Sequence, residues 1–575
     1  MKTYAKCHIL LALLCLVWAP AQAAPYRAAH AKHAIVVSVH KLASDAGVEV
    51  MRARGNAVDA AVATGFALAV VHPQAGNLGG GGFMLVRFAN GKVKFLDYRE
   101  KAAAAATRDM YLDAKGEVIK DASLVGYRAV AVPGSVAGMA YAQKQWGKLS
   151  LKRVMEPAIR LAKEGFVLTY EDARDLQDKD LTQFAESKRI FQRNGDFFEQ
   201  GDVLKQPELA KTLERIASNP KDFYRGNLAK QLAAAIQRGG GLVTEQDLRD
   251  YEVKEREPIH GTYRGYEIYS APPPSSGGIA LMEILNILEG WDLGKMGPRS
   301  AQSIHLTVEA FRRVMMDRAD FLGDPDFSTI PVAQLTDKKY ASAWRDTIDP
   351  DKASPSRQVK RPEFGDLDRV ASLHERAMGA ESNNTTHYSV VDAAGNAVSV
   401  TTTLNDSFGS KVTADGLGFL LNDEMDDFAS KQGVPNAYGL IQGPANAIGA
   451  GKRPLSAMTP TIVVKDGKLA YVLGSPGGPK IITTVANILM GVIDYKLDIQ
   501  QAVAAPRFHH QWLPDSITME KVGFSPDTVS ALNQLGHKID FQGYWSDGEC
   551  IAIDPKTGDR LGAPDPRNNG AASGY

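Results

Sequence analysis

The sequence predicts a large αβ protein, and three observations predict it. Its 575 residues, 44% of them hydrophobic, suffice for an extensive core. At roughly 150 residues per domain they would fill three or four domains, or one large αβ unit with insertions. Residues 56–71 form a long Ala/Val-rich run, helical by composition and apolar on most sides. Alternating segments joined at Asn90-Gly91 and at Ala393-Ala394-Gly395 read as hairpins on either side of mainly helical stretches. The composition is otherwise ordinary, which excludes collagen-like, coiled-coil and wholly disordered chains. Its 66 basic and 66 acidic side chains balance, without the basic excess expected of an electrostatic nucleic-acid binder.

In chain order, residues 1–23 read as a secretory leader. Lys2 and Lys6 supply the positive start, residues 9–18 the apolar run, and Ala21-Gln22-Ala23 the small-x-small cleavage signal. The apolar run falls short of the roughly 20 residues that span a bilayer. Leu14 before Cys15 is bulkier than a lipid-attachment signal wants. Cleavage after Ala23 leaves 552 residues with a net charge of −2 and Cys550 as the sole cysteine. An exported protein with one cysteine has no internal disulfide and relies on its packed core. The expected location is the periplasm or the medium. No later segment predicts a membrane anchor: residues 481–493 are few and contain Thr483, Thr484 and Asn487, which suits a buried helix.

The helix expected at 56–71 ends at His72-Pro73, and Gly79-Gly80-Gly81-Gly82 leads into strands at 83–88 and 93–98. Residues 133–251 are mainly helical in pattern, with a capping box at Thr244 and Asp247. A rigid loop, Pro272-Pro273-Pro274-Ser275-Ser276-Gly277-Gly278, precedes an apolar helix at 279–288, and another helix is expected at 301–321. Residues 349–382 are polar and aperiodic, the pattern of an exposed or mobile segment. Strands resume at 385, with helices near 481–493 and 526–535, the latter started by Ser525-Pro526. No internal repeat is visible.

The most informative stretch is Asn384-Thr385-Thr386-His387-Tyr388-Ser389-Val390-Val391-Asp392. Residues 387–392 suit a strand, 393–395 a three-residue turn with Gly395 in the left-handed position, and 396–404 the returning strand. Pairing Asp392 with Asn396 sets Thr385 opposite Thr403, so two hydroxyls meet at the open end, with Asn405 two residues further on the same face. By composition alone this is an ordinary Thr-rich strand pair. His509-His510 is a tempting metal pair, but adjacent strand residues point to opposite faces, so a structural role is expected. Neither glycine run is followed by the Gly-Lys-Ser/Thr of a phosphate loop.

Taken together and in order, these stretches resemble the γ-glutamyltranspeptidases, members of the N-terminal nucleophile hydrolase superfamily. The resemblance runs from about Ala34 to Tyr575. It is densest at 385–392, Asn422–Phe428, Lys452-Arg453-Pro454-Leu455-Ser456 and Gly474-Ser475-Pro476-Gly477-Gly478, with Asn77–Gly82 and Pro272–Gly278 also matching. It implies an α+β, four-layer αββα fold and a precursor that cuts itself between Asn384 and Thr385. The products would be a large subunit (24–384) of 361 residues and charge +3, and a small one (385–575) of 191 residues and charge −5.

The resemblance also implies roles. Thr385 would be the nucleophile, with its newly freed α-amine as the base. An unperturbed amine pKa of about 7.7–8.0 suits that work at neutral pH. Thr403 would orient the pair, and Gly477 and Gly478 would offer N–H groups to the oxyanion. Arg99 would fork onto a substrate carboxylate. Asp427, with Asn405 and Glu424, would hold the ammonium, and Ser456 would grip the carboxylate. This acidic run lacks the glycine and spacing of a calcium loop. Bacterial relatives carry a second serine after Ser456 where this chain has Ala457, and residues 433–443, with Tyr438, resemble a lid loop. The implied substrates are glutathione and other γ-glutamyl compounds, with amino-acid or dipeptide acceptors, no cofactor and no metal. A glutaryl-amide or cephalosporin acylase is the rival enzyme, and a non-catalytic γ-glutamyl-peptide binder the rival of another class.

Overall fold

The structure is a computed structural model that describes residues 27–365, 384–431 and 443–575. The expected leader, residues 366–383 and the stretch containing Tyr438 lie outside the described residues. In order, the chain contributes the strands β1 (Ile35–Ser38), β2 (Gly81–Arg87), β3 (Val93–Asp97), β4 (Thr386–Val391), β5 (Ala397–Thr403), β6 (Thr461–Lys465) and β7 (Lys468–Leu473). The helices that frame the site are α1 (Lys41–Arg52), α2 (Ala57–Val71), α3 (Gly277–Leu288), α4 (Ala301–Phe321) and α5 (Lys480–Ile493).

Two seven-stranded antiparallel sheets lie at the centre. One runs Ala571–Gly574, β1, β4, β5, β2, β3, Lys254–Arg256. The other runs Ala29–Ala31, Arg560–Ala563, Cys550–Ile553, β7, β6, Tyr266–Ser270, Ile259–Tyr263. Both draw strands from before and after the Asn384–Thr385 bond, so neither sheet is complete without both portions of the chain. α1 and α2 pack on the outer face of the first sheet, and α3 and α5 on that of the second, which makes four αββα layers.

The strand period of two explains the layering. Val36, Met84, Val86, Val390 and Val398 join the core beneath α1 and α2. Their neighbours Ile35, Val37, Phe83, Leu85, Val391 and Ala397 pack instead between the sheets, against Ile462 and Val472. Val463 and Leu473 turn the other way, into the core beneath α3 and α5. α2 is buried along its whole length, and Asn56 and Asp59 close its start with a capping box. A helix buried on every side must be apolar all round, which its Ala/Val composition supplies.

Most expected elements occur, with ends shifted by at most two residues. α4 and the capping box at Thr244 match. The first of the two early strands starts two residues sooner than expected, because glycines enter the ladder beside β5. A short helix at Ile499–Ala504, capped by Asp498, was not expected. The described beginning of the polar 349–382 segment is mostly exposed, as expected, but it is anchored at two points. Ser356 is buried there, and Arg361 reaches Asp317 and Asp320 of α4 at 2.6 and 2.5 Å. Composition reports charge but not the buried carboxylates that await it.

Candidate active site

The β4–β5 hairpin has the expected register. Thr386 pairs with Thr402 and Val391 with Ala397, and Gly395 turns the chain with φ 87°. Asp392 stiffens the turn by accepting from the Ala394 and Asn396 N–H groups, and it also accepts from Ala57 N at the start of α2. One step beyond the last pair, the Thr385 and Thr403 hydroxyl oxygens are 3.3 Å apart.

The inter-sheet face of this hairpin changes character along its length. Near the turn it carries Val391 and Ala397. Toward the open end it carries hydroxyls and one imidazole: the Ser399 hydroxyl donates to Leu473 O at 2.9 Å, and His387 Nδ1 pairs with Thr401 Oγ1 at 2.9 Å. Burial holds the His387 pKa down to about 3, so the ring is neutral near pH 7. Thr403 Oγ1 accepts from Asn405 N at 2.9 Å and lies 3.2 Å from the Asn384 carbonyl oxygen. Asn405 takes φ 83°, a left-handed conformation that Asn tolerates better than most residues. Its Nδ2 donates to Asp423. Asn77 fixes the same strand end from the other side by donating to Thr403 O at 2.9 Å, while its Oδ1 accepts from Gly80 N and the Ser135 hydroxyl.

Gly477 and Gly478, with φ 127° and 53°, precede Pro479, the residue that caps the start of α5. Their carbonyls receive the Lys480 and Ile481 N–H groups. A side chain at 477 would also strike Ser546 Oγ. The peptide groups here sit at a helix N-terminus, where the dipole favours negative charge.

The charged part of the site converges from several segments. Arg99 follows β3 and is fully buried, with Glu424 and Asp427 on its two terminal nitrogens. Glu100 approaches to 3.5 Å, and the carbonyls of Pro454 and Leu455 accept at 3.3 and 3.2 Å. Asn422 sets the acidic turn, accepting from Ala131 N and Glu424 N and donating to the Gly79 and Ala131 carbonyls. Burial drives the Glu424 carboxyl well above its usual pKa, against the pull of Arg99, and pushes Glu100 up to about 7. Asp423 is likewise raised well above its usual value by burial. Three carboxyl groups therefore share one guanidinium.

Ser456 is held by neighbouring segments: its N–H donates to Pro274 O at 3.0 Å, its carbonyl accepts from Ser276, and its Oγ accepts from Met458 N. The Pro272–Gly278 loop thus buttresses this side. One cleft brings together Thr385, Thr403, Arg99, Asp427, Ser456 and Gly478; Asn405, Glu424 and Ala457 also line it. Among the described residues Gly477 does not reach its wall, and Tyr438 is outside them. Sequence reasoning assigned nothing to Glu100, Asn422 or Arg318, although each contributes to this region. Glu100 was legible only as the neighbour of Arg99, and Arg318 carried no signal within its helix.

His509 and His510 diverge as expected. His509 pairs with Thr483 Oγ1 and Gln511, and His510 with Trp512 N and Asp515. Among the described residues, His305, Glu309 and His537 are close enough to hold a metal ion. Glu309 is already ion-paired with Arg312 and Arg313, and the two imidazoles bond each other at 2.8 Å, so the donors are committed. Among the described residues no helix is long and apolar enough to cross a membrane.

The chain is similar to known proteins over nearly its whole length. The chain is 49% identical over 542 residues to a glutathione hydrolase proenzyme of Escherichia coli, covering 94% of this chain and 91% of the relative. It is 48% identical over 589 residues to a glutathione hydrolase proenzyme of a Pseudomonas species, covering both chains fully. A crystal structure of cephalosporin acylase from Bacillus halodurans superposes with a TM-score of 0.82 at 28% identity, over 96% of this chain and 98% of that one. The sequence model described as Gamma-glutamyltranspeptidase matches residues 43–575, and the chain belongs to that family.

Proposed function

We propose that the chain is a self-processing γ-glutamyltransferase and glutathione hydrolase whose nucleophile is Thr385. The carrying observation is one cleft that holds the Thr385–Thr403 hydroxyl pair beside a buried Arg99–Glu424–Asp427 cluster. A hydroxyl nucleophile and an amino-acid recognition site are what transfer from a γ-glutamyl amide requires.

In the precursor, Thr385 Oγ attacks the Asn384 carbonyl carbon. The C–N bond breaks, the acyl group passes to oxygen as an ester, and the nitrogen becomes a free α-amine. Water then releases Asn384 as a carboxylate. Thr403 Oγ, within reach of both Thr385 Oγ and the Asn384 carbonyl oxygen, supports the attack by polarising that carbonyl. The products are residues 24–384 and 385–575, exported to the periplasm once the leader is removed.

In turnover, the α-amine accepts the Thr385 hydroxyl proton as Oγ attacks the γ-carbonyl. The N–H groups of Gly477 and Gly478 stabilise the oxyanion. The amine returns the proton to the departing cysteinylglycine nitrogen, and water or an amino acid takes the acyl group. Recognition is an exchange of partners. Arg99 pairs with Glu424 and Asp427 in the structure; a zwitterionic head gives its carboxylate to Arg99 and Ser456 and its ammonium to Asp427, Glu424 and Asn405. The Arg99, Glu424 and Asp427 charges stay matched through the exchange, which a low-dielectric site demands.

The test is turnover of a γ-glutamyl anilide by purified protein, alongside a denaturing gel. Two fragments with the smaller beginning at Thr385, and release of the anilide, are expected. An intact chain without turnover overturns the reading. The likeness to a cephalosporin acylase favours one rival, which a glutaryl anilide separates: it lacks the α-amine, so preference for it would assign the acylase activity instead.

A further inference from the structure

Arg318 lies on α4, is 3% exposed and lines the same cleft as Thr385, Ser456 and Ala457. Its Nε donates to the Ser276 hydroxyl at 2.9 Å, and that hydroxyl in turn donates to Ser456 O at 2.6 Å. Its Nη1 is buried with no hydrogen-bond partner, and among the described residues no carboxylate lies within ion-pair distance. The contrast with other buried arginines is sharp. Arg312 and Arg313 meet Glu309, Arg453 meets Asp97, and Arg507 meets Asp565. Arg99 itself is surrounded by three carboxylates and two carbonyls. A buried guanidinium without an anion is costly, by several kcal/mol in general, and burial lowers its pKa to about 10, against the pull of the Asp427 charge. Such a group persists where a ligand supplies the missing anion.

We infer that Arg318 is a second carboxylate-binding cation of this cleft, specific for the α-carboxylate of the γ-glutamyl donor. The inference rests on the reading of the site as a γ-glutamyl pocket. Arg99 can turn to a substrate carboxylate only by giving up an internal acid, whereas Arg318 has a donor to spare. Ala457 presents a methyl group to the same cleft, so this side carries one hydroxyl, on Ser456, and the guanidinium supplies the remaining hydrogen bonds. Ser276 is the post that holds it, through its Nε.

The experiment compares two anilides whose leaving groups carry no charge, so an effect cannot arise from a leaving-group carboxylate. One is the γ-glutamyl anilide; the other is the 4-aminobutyryl anilide, which keeps the amine and lacks the α-carboxylate. Arg318→Gln should raise KM for the first by about 10–100-fold, the factor of a lost charge-assisted hydrogen bond. Its kcat should change less than about threefold, and its kcat/KM on the 4-aminobutyryl substrate should match that of the unaltered enzyme. An unchanged KM on the γ-glutamyl anilide, or an equal loss on both substrates, overturns the inference. If Arg318→Gln yields no fragments, Arg318→Lys decides: a loss confined to the γ-glutamyl substrate supports the assignment and an equal loss on both overturns it. Failure of the unaltered enzyme to turn over the γ-glutamyl anilide would instead overturn the functional reading.

Discussion

The two halves of the cleft are built on opposite principles. The hydroxyl half, Thr385, Thr403 and the neutral His387 behind them, comes from two adjacent strands joined by a three-residue turn, and none of these three side chains is charged. The recognition half gathers Arg99 and Glu100 after β3, Glu424 and Asp427 from one turn, and Arg318 from α4, and nearly all of it is charge. The chemical step needs two groups held at short range, which a hairpin register supplies without help. Recognition of a zwitterion needs opposite charges kept apart in a dry pocket, and only tertiary structure can bring those together.

Breaking the hydroxyl half should cost most. Thr385→Ala removes the proposed nucleophile of both reactions, so the chain should stay uncut on a gel and anilide turnover should fall by more than about 10⁴-fold. Efficient cleavage in that variant would move the chemistry to another residue. Thr403→Val removes the acceptor of Asn405 N–H together with the hydroxyl beside Thr385. Cleavage rate and kcat should drop by about 10²–10³-fold, and Thr403→Ser should recover most of the loss. A valine variant that matures at the normal rate would reduce Thr403 to packing.

In the recognition half, perturbation should show in pH dependence. Burial raises Glu100 from the ordinary 4.5 to about 7. A carboxyl group raised on folding contributes stability that is complete below its unfolded pKa, near 4.5, and lost as pH rises through about 7. Thermal unfolding followed from pH 5 to pH 8 should therefore show Glu100→Gln declining less than the unaltered protein. Parallel curves would mean that Glu100 is ionised throughout.

The same contrast explains what could be read from the sequence. The meeting of Thr385 with Thr403 followed from counting outward from Gly395, because strand register is fixed by the turn and the period of two. The strands and helices followed from Ala/Val runs and alternation, whereas their stacking in four layers came with the resemblance. Arg99 and Asp427 gained their roles only from resemblance, since no local spacing links residues more than 300 positions apart. Glu100 and Arg318 stayed hidden. A buried charge in a helix or at a strand end looks in sequence like any exposed one, and only its partners, or their absence, reveal it. The anchoring of Arg361 stayed hidden for the same reason, its carboxylates lying 44 and 41 residues away on α4.

The smallest expected effect adds a hydroxyl to the charged half. Ala457 lines the cleft beside Ser456 and is 8% exposed, so a serine oxygen there would enter a site already crowded with donors. Ala457→Ser would offer a substrate carboxylate one more neutral hydrogen bond, worth about 0.5–1.5 kcal/mol. KM for the γ-glutamyl anilide should fall by about two- to tenfold with kcat unchanged, and turnover of the 4-aminobutyryl anilide should stay constant. The double variant with Arg318→Gln then measures coupling: two groups on one carboxylate should give non-additive changes, whereas independent sites add. Additivity would separate Ala457 from the carboxylate subsite, and the recognition half would then rest on its charges alone.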